Sequence, residues 1–434
     1  MNALNPYLSN FQIYCTSNSD EEGKTQFPTR IKPDCSVFAK GCSSRATNSS
    51  TVELFIEFKR QYDDDPFVIE TRSGKSNRMP SLSRNPFMKS SEDSYQTCGQ
   101  ITAYATSHMS AQYRTHIFFV LICKNYARLI RWDRSGAIVT EPIYYNEASG
   151  LFDFFIHLDR SPAKVRGQDA TVTLANSEES KEAVKAVKEL EKETPLLVVS
   201  VPDAGSGKWM RYVVASPFAS PWVPVGRWTR TSIGYDIQRK RSVLMKDSWR
   251  VVLNGVPKEG DVYSKFEAEG VPNVPRCSNS GDIGEDRYHS TQTDRFCREG
   301  WFARYEYGLT RHRHYRLILD DIGQPLEGFK CSRDMVRAVR AALIGKFVIG
   351  RVEVYVAERG TRVAHKHAYK CGILHRDISP GNILITSDER FEGGLLIDWD
   401  LSKDINSESD KGRRATRTVR MECVRIWWIL TSWT

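Results

Sequence analysis

The sequence predicts an α+β protein in which an N-terminal α/β module precedes a larger mixed domain. The chain has 434 residues, which is too long for one hydrophobic core and indicates two or three domains. Short apolar runs of strand length alternate with stretches of helical periodicity. A charged stretch at residues 161–195 lies between the two parts. These three observations give the fold class and its first boundary.

The composition restricts the class of protein. Hydrophobic residues make up 40% and charged residues 26%, as in soluble globular domains. The net charge of +9 weakly favours anionic partners, so nucleotide phosphates and nucleic acid both stay open. Ten cysteines without a CxxC pair indicate reduced thiols of an intracellular, cytoplasmic or nuclear protein. The longest apolar runs, at 117–123 and 426–430, are too short to span a bilayer, so no membrane association is expected.

The N-terminal module is expected to cover residues 1–160. Residues 52–58, VELFIEF, predict a strand, and residues 94–112 predict a helix. Residues 116–133 predict two strands joined by a turn at Lys124 and Asn125. In the following stretch, 161–195, a Glu- and Lys-rich helix over 177–193 is predicted with Ser177 as its N-cap, and it is expected to be a solvated linker.

A small polar pattern lies within this module. Pro33 and Asp34 are followed by Glu57 and Lys59, which are two apart on the predicted strand and therefore point to the same face. This order of residues resembles the core of the PD-(D/E)xK nucleases. Asp34 and Glu57 could bind Mg²⁺ while Lys59 orients water. The alternatives are a strand edge with alternating charges, or a binding or regulatory domain that has the same fold and does not cleave.

Two segments near the C-terminus carry a phosphoryl-transfer pattern. In HRDISPGN (375–382), Asp377 precedes Asn382 by five residues, the spacing that places a base near a hydroxyl and an amide near Mg²⁺. Arg376 and His375 are expected to hold this loop. Asp398 follows an apolar strand in LLIDWD (395–400) and is predicted to coordinate the metal that bridges the phosphates.

The residues that would hold the nucleotide lie upstream. Lys246 is on a predicted strand, and Glu259 begins a helical pattern thirteen residues later, so the two are expected to form an ion pair. Glu267 and Glu269 compete for that role but lie at the end of the helix. The run PVGRWTRTSIGYDIQ (224–238) is the candidate phosphate loop, with Gly226 as a cofactor-binding residue.

Together these motifs resemble the fungal-type protein kinase family over roughly residues 215–403; the matching runs are VGRWTR, VLMKDSWR, EGVPNVP, YRLILDDIGQPL, GILHRDISPGNILI and LLIDWDLSK. In that resemblance, residues 314–329 correspond to the strand and hinge that receive adenine, with Asp320 and Gly323 as candidate contacts. The resemblance implies a two-lobed, protein-kinase-like domain, with the N-lobe and hinge at 196–330 and a partial C-lobe at 331–434.

The same resemblance implies an ATP- and Mg²⁺-dependent activity on Ser/Thr hydroxyls of a protein substrate. It makes Asp377 the base, Asn382 and Asp398 the metal ligands, and Lys246 the phosphate contact. Two positions depart from protein kinases in general. Ser379 stands where a phosphate-binding lysine is usual, and Asp400 replaces the glycine of the DFG motif. The substrate class therefore stays open.

The C-terminal part predicts an incomplete lobe, because only 34 residues follow Asp400. Residues 346–364 interrupt an otherwise continuous helical pattern. Their 19 codons, or 57 nucleotides, are the length of a short intron, so a retained intron is favoured over a surface insertion. Two alternative functions follow: a truncated or non-catalytic pseudokinase that only binds partners, and a small-molecule phosphotransferase. Arg376 favours a protein substrate, because its usual partner is a phosphorylated activation loop.

Overall fold

The structure is a computed structural model that describes residues 1–18, 31–42, 47–68, 88–191, 195–203, 207–215, 223–253, 256–284, 289–299, 309–343, 346–349, 352–355, 363–406 and 428–431. Within these ranges, two seven-stranded sheets carry most of the strands. No helix of this described part has the length and apolarity needed to cross a membrane.

The N-terminal module builds six of the seven strands of the first sheet. Its strands are β1 (Phe11–Cys15), β2 (Cys35–Ala39), β3 (Leu54–Lys59), β4 (Ile117–Cys123), β5 (Tyr126–Asp133) and β6 (Gly136–Thr140), side by side in chain order. β3 and β4 are parallel and are joined by α1 (Glu92–Ala111), whereas the other neighbours among these six strands are antiparallel. Helix α2 (Gly150–Arg160) follows β6.

Local sequence explains these elements. The side chains of β4, IFFVLIC, are mostly buried, as expected of a strand covered on both faces. α1 begins after Ser91, whose hydroxyl accepts a hydrogen bond from the Ser94 amide at 3.3 Å. The predicted hairpin is confirmed: β4 and β5 pair across a turn in which Lys124 has a φ of 46°.

The second sheet is antiparallel throughout. Its strands are β7 (Val172–Leu174), β8 (Leu196–Pro202), β9 (Trp209–Ala215), β10 (Arg230–Asp236), β11 (Arg241–Val251), β12 (Cys277–Asp282) and β13 (His312–Leu319), and they lie in the order β12-β13-β11-β10-β9-β8-β7. Helix α4 (Glu259–Ala268) connects β11 to β12. The long strand β11 is therefore an interior strand of the sheet, with β10 and β13 as its neighbours.

The stretch 161–195 differs from the predicted linker. It supplies β7 to the second sheet and forms α3 (Ser177–Ala186), whose N-cap is Asn176 rather than Ser177. Ala183 of α3 is fully buried and belongs to one apolar cluster with Leu196 and Val198 of β8. The Glu/Lys pattern obscured this contact, because a single small residue makes the buried face of the helix.

The two sheets share a hydrophobic core. Trp228 and Trp249, from the second half of the chain, are buried in the same cluster as Ile130 and Trp132 of β5. The Arg134 guanidinium, in the β5–β6 turn, lies 3.7 Å from the centre of the Trp228 ring. The boundary expected at residue 160 therefore does not separate two independent cores.

The C-terminal part is made of short elements. Its strands are β14 (Gln324–Pro325), β15 (Lys346–Ile349), β16 (Val352–Tyr355), β17 (Ile373–Leu374), β18 (Ile383–Ile385), β19 (Gly394–Leu396) and β20 (Lys403–Asp404), with helices α5 (Ser332–Ala342) and α6 (Ala364–Lys370). A further strand, β21 (Trp428–Thr431), pairs in parallel with β6.

The helix expected across this region is divided. α5 ends at Ala342, β15 and β16 form an antiparallel hairpin, and α6 begins at Ala364. The hairpin lies within residues 346–364. The origin of this segment as a retained intron, favoured over a surface insertion, stays a prediction. Residues 407–427, which hold most of the chain after Asp400 in the predicted partial C-lobe, lie outside the described residues.

Substituting Gly394 by alanine is expected to lower the free energy of unfolding by about 1–3 kcal/mol. A Cβ atom at Gly394 would lie 2.5 Å from the Ala338 Cα, so β19 and α5 would have to separate. The control is Gly99→Ala on the exposed face of α1, where a Cβ meets nothing within 4 Å and alanine should stabilise the helix by about 1 kcal/mol. Urea unfolding monitored by circular dichroism measures both changes, and equal stability of the two variants would contradict the prediction.

Candidate active site

The site is centred on the Lys246 side chain in β11. Lys246 is opposite Thr231 of β10 and Leu317 of β13, so its backbone is fixed on both sides. α4 begins at Glu259, and the Lys246 Nζ lies 2.6 Å from the Glu259 Oε2. Both residues are about 5% exposed or less. The structure therefore brings together the two residues that the sequence spacing paired, and neither Glu267 nor Glu269 takes this position.

Asp398 approaches the same lysine from the C-terminal part. It follows β19 in the left-handed conformation, with a φ of 65°, and its Oδ1 lies 2.5 Å from the Lys246 Nζ. The next residue, Trp399, donates its backbone N–H to the Glu259 Oε1 at 3.1 Å. Glu259 thus holds both Lys246 and the peptide that follows Asp398.

A column of packed rings supports this arrangement. The Trp399 ring centre lies 4.5 Å from that of Phe266 in α4 and 4.4 Å from that of His375. Trp399 and Phe266 are fully buried. Because α4, the Asp398 turn and the loop at 375–382 each contribute one ring, packing fixes their relative positions.

The loop at 375–382 is hydrogen-bonded to the Asp398 segment. The Asn382 Nδ2 donates to the Asp377 carbonyl at 2.7 Å, and the Ile397 amide donates to the Asn382 carbonyl at 3.0 Å. The His375 Nε2 donates to the Ile397 carbonyl at 2.9 Å. The Arg376 Nε donates to the Leu401 carbonyl at 2.7 Å, and Arg376 has a φ of 70°. His375 and Arg376 thus tie the loop to the Asp398 segment, as the sequence analysis expected of them.

The charges of the site are strongly coupled. Burial alone would raise the pKa of Asp398, but the Lys246 ammonium holds it well below its usual range. Burial raises the pKa of Glu259 to about 7, with Asp400 and Asp398 adding to the effect against Lys246. Burial also raises the pKa of Asp400. The ammonium of Lys246 is held charged by Asp398, Asp400 and Glu259 despite its burial, so its pKa is raised.

The donor atoms fit a hard divalent cation. Glu259, Asp398 and Asp400 each place a carboxylate oxygen within 4.8 Å of the others. The Asp400 Oδ1 is buried and has no hydrogen-bond partner among the described residues. Carboxylate oxygens such as these are the ligands that Mg²⁺ prefers.

Arg227 is the residue of the site that the sequence analysis missed. Its Nη1 lies 2.5 Å from the Asp400 Oδ2, and its side chain is 20% exposed. The contact joins residues 173 apart in the chain, so no local pattern could reveal it. The only signal was its position beside Gly226 in the candidate phosphate loop.

Three candidate nucleotide contacts differ from expectation. The Gly226 amide donates to the Arg134 carbonyl at 2.8 Å, so this N–H is not free to bind a phosphate. The Asp320 carboxylate pairs with Arg241 at 2.6 Å and its amide donates to the Arg276 carbonyl, which argues against a direct nucleotide contact. Gly323 lies against β18, where a Cβ would come within 2.6 Å of the Leu384 Cβ. This close packing against β18 explains why residue 323 is a glycine.

The second candidate site lies in the first sheet. The Lys59 Nζ is 3.0 Å from the Glu57 Oε1 and 2.6 Å from the Gln100 Oε1. The Asp34 Oδ2 accepts a hydrogen bond from the Phe58 amide at 2.8 Å. Burial raises the pKa of Glu57, against the opposing effect of Lys59. The structure therefore brings the three predicted residues together where β2 begins and β3 ends, with Gln100 of α1 beside them.

Comparisons with known proteins place this geometry in context. No curated protein matches the chain. A solved structure that matches is the crystal structure of the BubR1 kinase domain, with 12% sequence identity and a TM-score of 0.29. The match covers 49% of this chain and spans about half (52%) of the length of that chain. A family model described as fungal protein kinase matches residues 86–350 and 351–426, which is most of the chain. The chain therefore belongs to the fungal protein kinase family.

Proposed function

We propose that the chain is an ATP- and Mg²⁺-dependent protein kinase that transfers the γ-phosphate to a Ser/Thr hydroxyl of a protein substrate. The observation that carries the proposal is the position of Lys246, within 2.6 Å of Glu259 and 2.5 Å of Asp398. A lysine held in this way from an interior strand is pre-organised to contact nucleotide phosphates. Family membership supports the same activity.

Each residue has a role in the proposed reaction. Lys246 binds the phosphates of ATP, and Glu259 keeps its ammonium in place. Asp398 and Asn382, with Asp400, would hold Mg²⁺, which neutralises charge on the phosphates when bound. Asp377 accepts the proton of the substrate hydroxyl as its oxygen bonds to the γ-phosphorus and the bond to the β,γ-bridging oxygen breaks. The products are ADP and the phosphorylated side chain.

The two alternatives make different use of the same site. A pseudokinase would only bind partners and would transfer no phosphate, and a small-molecule phosphotransferase would act on a free hydroxyl compound. Arg376 supports a protein substrate, because an arginine at this position could bind the phosphate of a phosphorylated activation loop and order that loop. Ser379 and Asp400, which depart from other protein kinases, support no particular alternative.

The test uses the full chain, Mg²⁺ and ATP labelled at the γ-phosphate. Label should appear on Ser or Thr of proteins in a mixed panel, identified by phosphoamino acid analysis. Label only on small hydroxyl compounds would favour the phosphotransferase. Absence of transfer to any acceptor would favour the pseudokinase, and absence of nucleotide binding would contradict both the kinase and the phosphotransferase.

For the first sheet, we propose a binding or regulatory role, and the full chain is expected not to cleave nucleic acid in Mg²⁺ or Mn²⁺. The Lys59 ammonium already donates to Glu57 and Gln100, and the Asp34 Oδ2 accepts from the Phe58 amide. The Glu57 Oε2 is buried without a hydrogen-bond partner among the described residues, and it is the atom left for a bound ligand. Gel assays on single- and double-stranded DNA and RNA measure cleavage. Robust nicking that is lost in Glu57→Gln and kept in Glu92→Gln, at the start of α1, would overturn this proposal.

A further inference from the structure

We infer that Arg227 contacts the γ-phosphate of ATP and makes the site prefer ATP over ADP. The inference deepens the proposed function and rests on it. Arg227 belongs to the segment that precedes β10, and none of the sequence motifs assigned it a role. Its guanidinium reaches Asp400, the residue that replaces the glycine of the DFG motif.

The first argument is the position of the guanidinium. The Asp400 Oδ2, which lies 2.5 Å from Arg227, is also 3.6 Å from the Lys246 Nζ. Burial would lower the pKa of Arg227, but the carboxylates of Asp400, Asp398 and Asp377 raise it. Arg227 therefore lies against a carboxylate proposed to bind Mg²⁺, and Lys246 lies beside the same carboxylate oxygen. A phosphate bound beside Lys246 is within reach of the Arg227 guanidinium.

The second argument is the shortage of positive charge at this point. Ser379 stands where protein kinases usually place a phosphate-binding lysine. Lys246 is within 4 Å of three carboxylates. The γ-phosphate gains charge at its equatorial oxygens during transfer and needs a donor there. Arg227, which contacts the same Asp400 oxygen that lies near Lys246, supplies one, and its planar fork can bind two phosphate oxygens.

The third argument is the rigid backbone around Arg227. The Trp249 amide donates to the Arg227 carbonyl at 2.6 Å, and the Gly226 amide donates to the Arg134 carbonyl at 2.8 Å. Gly226 has a φ of 98° and Trp228 a φ of 46°, so both neighbours are in the left-handed region. The Arg134 guanidinium covers the Trp228 ring. Only the Arg227 side chain must turn from Asp400 to a phosphate.

The test compares two nucleotides on the full chain. Isothermal titration calorimetry with Mg²⁺ measures the Kd of ADP and of the β,γ-imido analogue of ATP, for wild type, Arg227→Gln and Arg227→Lys. In Arg227→Gln the analogue should bind more weakly by on the order of 10-fold, because a charge-assisted contact is lost, while ADP changes by less than about 2-fold. Arg227→Lys should recover part of the loss.

Arg239→Gln is the matched control, since Arg239 is 40% exposed in the turn between β10 and β11 and should leave both affinities unchanged. Circular dichroism checks that each variant is folded. Unchanged affinity for the analogue, or an equal loss for both nucleotides, would overturn the role of Arg227 while nucleotide binding itself stands. A wild-type chain that binds neither nucleotide would overturn the proposed function, and this inference with it.

Discussion

Asp377→Asn is expected to reduce phosphoryl transfer by on the order of 10²–10⁴ while ATP binding largely persists. The proposed base acts on the substrate hydroxyl and not on the nucleotide. The substitution also keeps the backbone contacts of this position, because the Asp377 carbonyl accepts from Asn382 and its amide donates to the His375 Nδ1 at 3.3 Å. Transfer from labelled ATP measures the rate, and calorimetry measures the affinity.

Asp388→Asn is the control for this experiment, because Asp388 is 37% exposed and pairs with Arg390. It should transfer phosphate at the wild-type rate. An Asp377→Asn variant as fast as wild type would contradict the role of Asp377 as base. A parallel loss of ATP affinity in that variant would instead indicate that Asp377 holds the nucleotide.

Glu259→Lys is expected to weaken transfer nearly as much as Lys246→Met. Removing one member of a buried ion pair costs about 3–5 kcal/mol. Glu259 has two partners, the Lys246 Nζ and the Trp399 amide, so its loss also releases the peptide next to Asp398. A lysine at position 259 would bury a second ammonium beside the first. Transfer rate and the KM for ATP are the measurements.

Glu267→Lys is the matched charge reversal on the same helix. Glu267 is 61% exposed and lies 3.5 Å from Arg276 on the surface, so this variant should keep most activity. Glu259→Gln removes the charge and preserves the shape of the side chain. It therefore shows whether a loss of transfer in Glu259→Lys comes from the missing carboxylate or from a chain that fails to fold. Full activity of Glu259→Lys together with an inactive Glu267→Lys would show that the helix register is wrong.

The sequence was most informative where chemistry imposes a spacing. The distances from Lys246 to Glu259 and from Asp377 to Asn382 along the chain follow from one strand-to-helix connection and one loop, so local pattern places these residues correctly. The start of α4 at Glu259 was likewise predictable from its apolar face. These parts of the site need few long-range contacts to specify them.

Contacts between distant segments were not predictable in this way. Arg227 and Asp400 meet only because both sheets and the C-terminal elements pack together. Gly226 has the residue type of a phosphate loop, but its amide is used by Arg134 from the first sheet. The charged pattern of α3 indicated solvent on all sides, yet burial of Ala183 attaches the helix to β8. In the first two cases the partner lies too far along the chain for periodicity to reveal, and in α3 one buried alanine is too small a signal among the charged residues.

The shared tryptophan core has a consequence for unfolding. Trp228 and Trp249 contribute to the same buried cluster as the strands of the first sheet, and the family match runs across residue 160 without interruption. Neither half can melt without exposing apolar surface of the other, so the two sheets lose structure in one cooperative transition. A ligand that binds beside Lys246 therefore raises the free energy of unfolding of the first sheet as well, although it contacts only the second part of the chain.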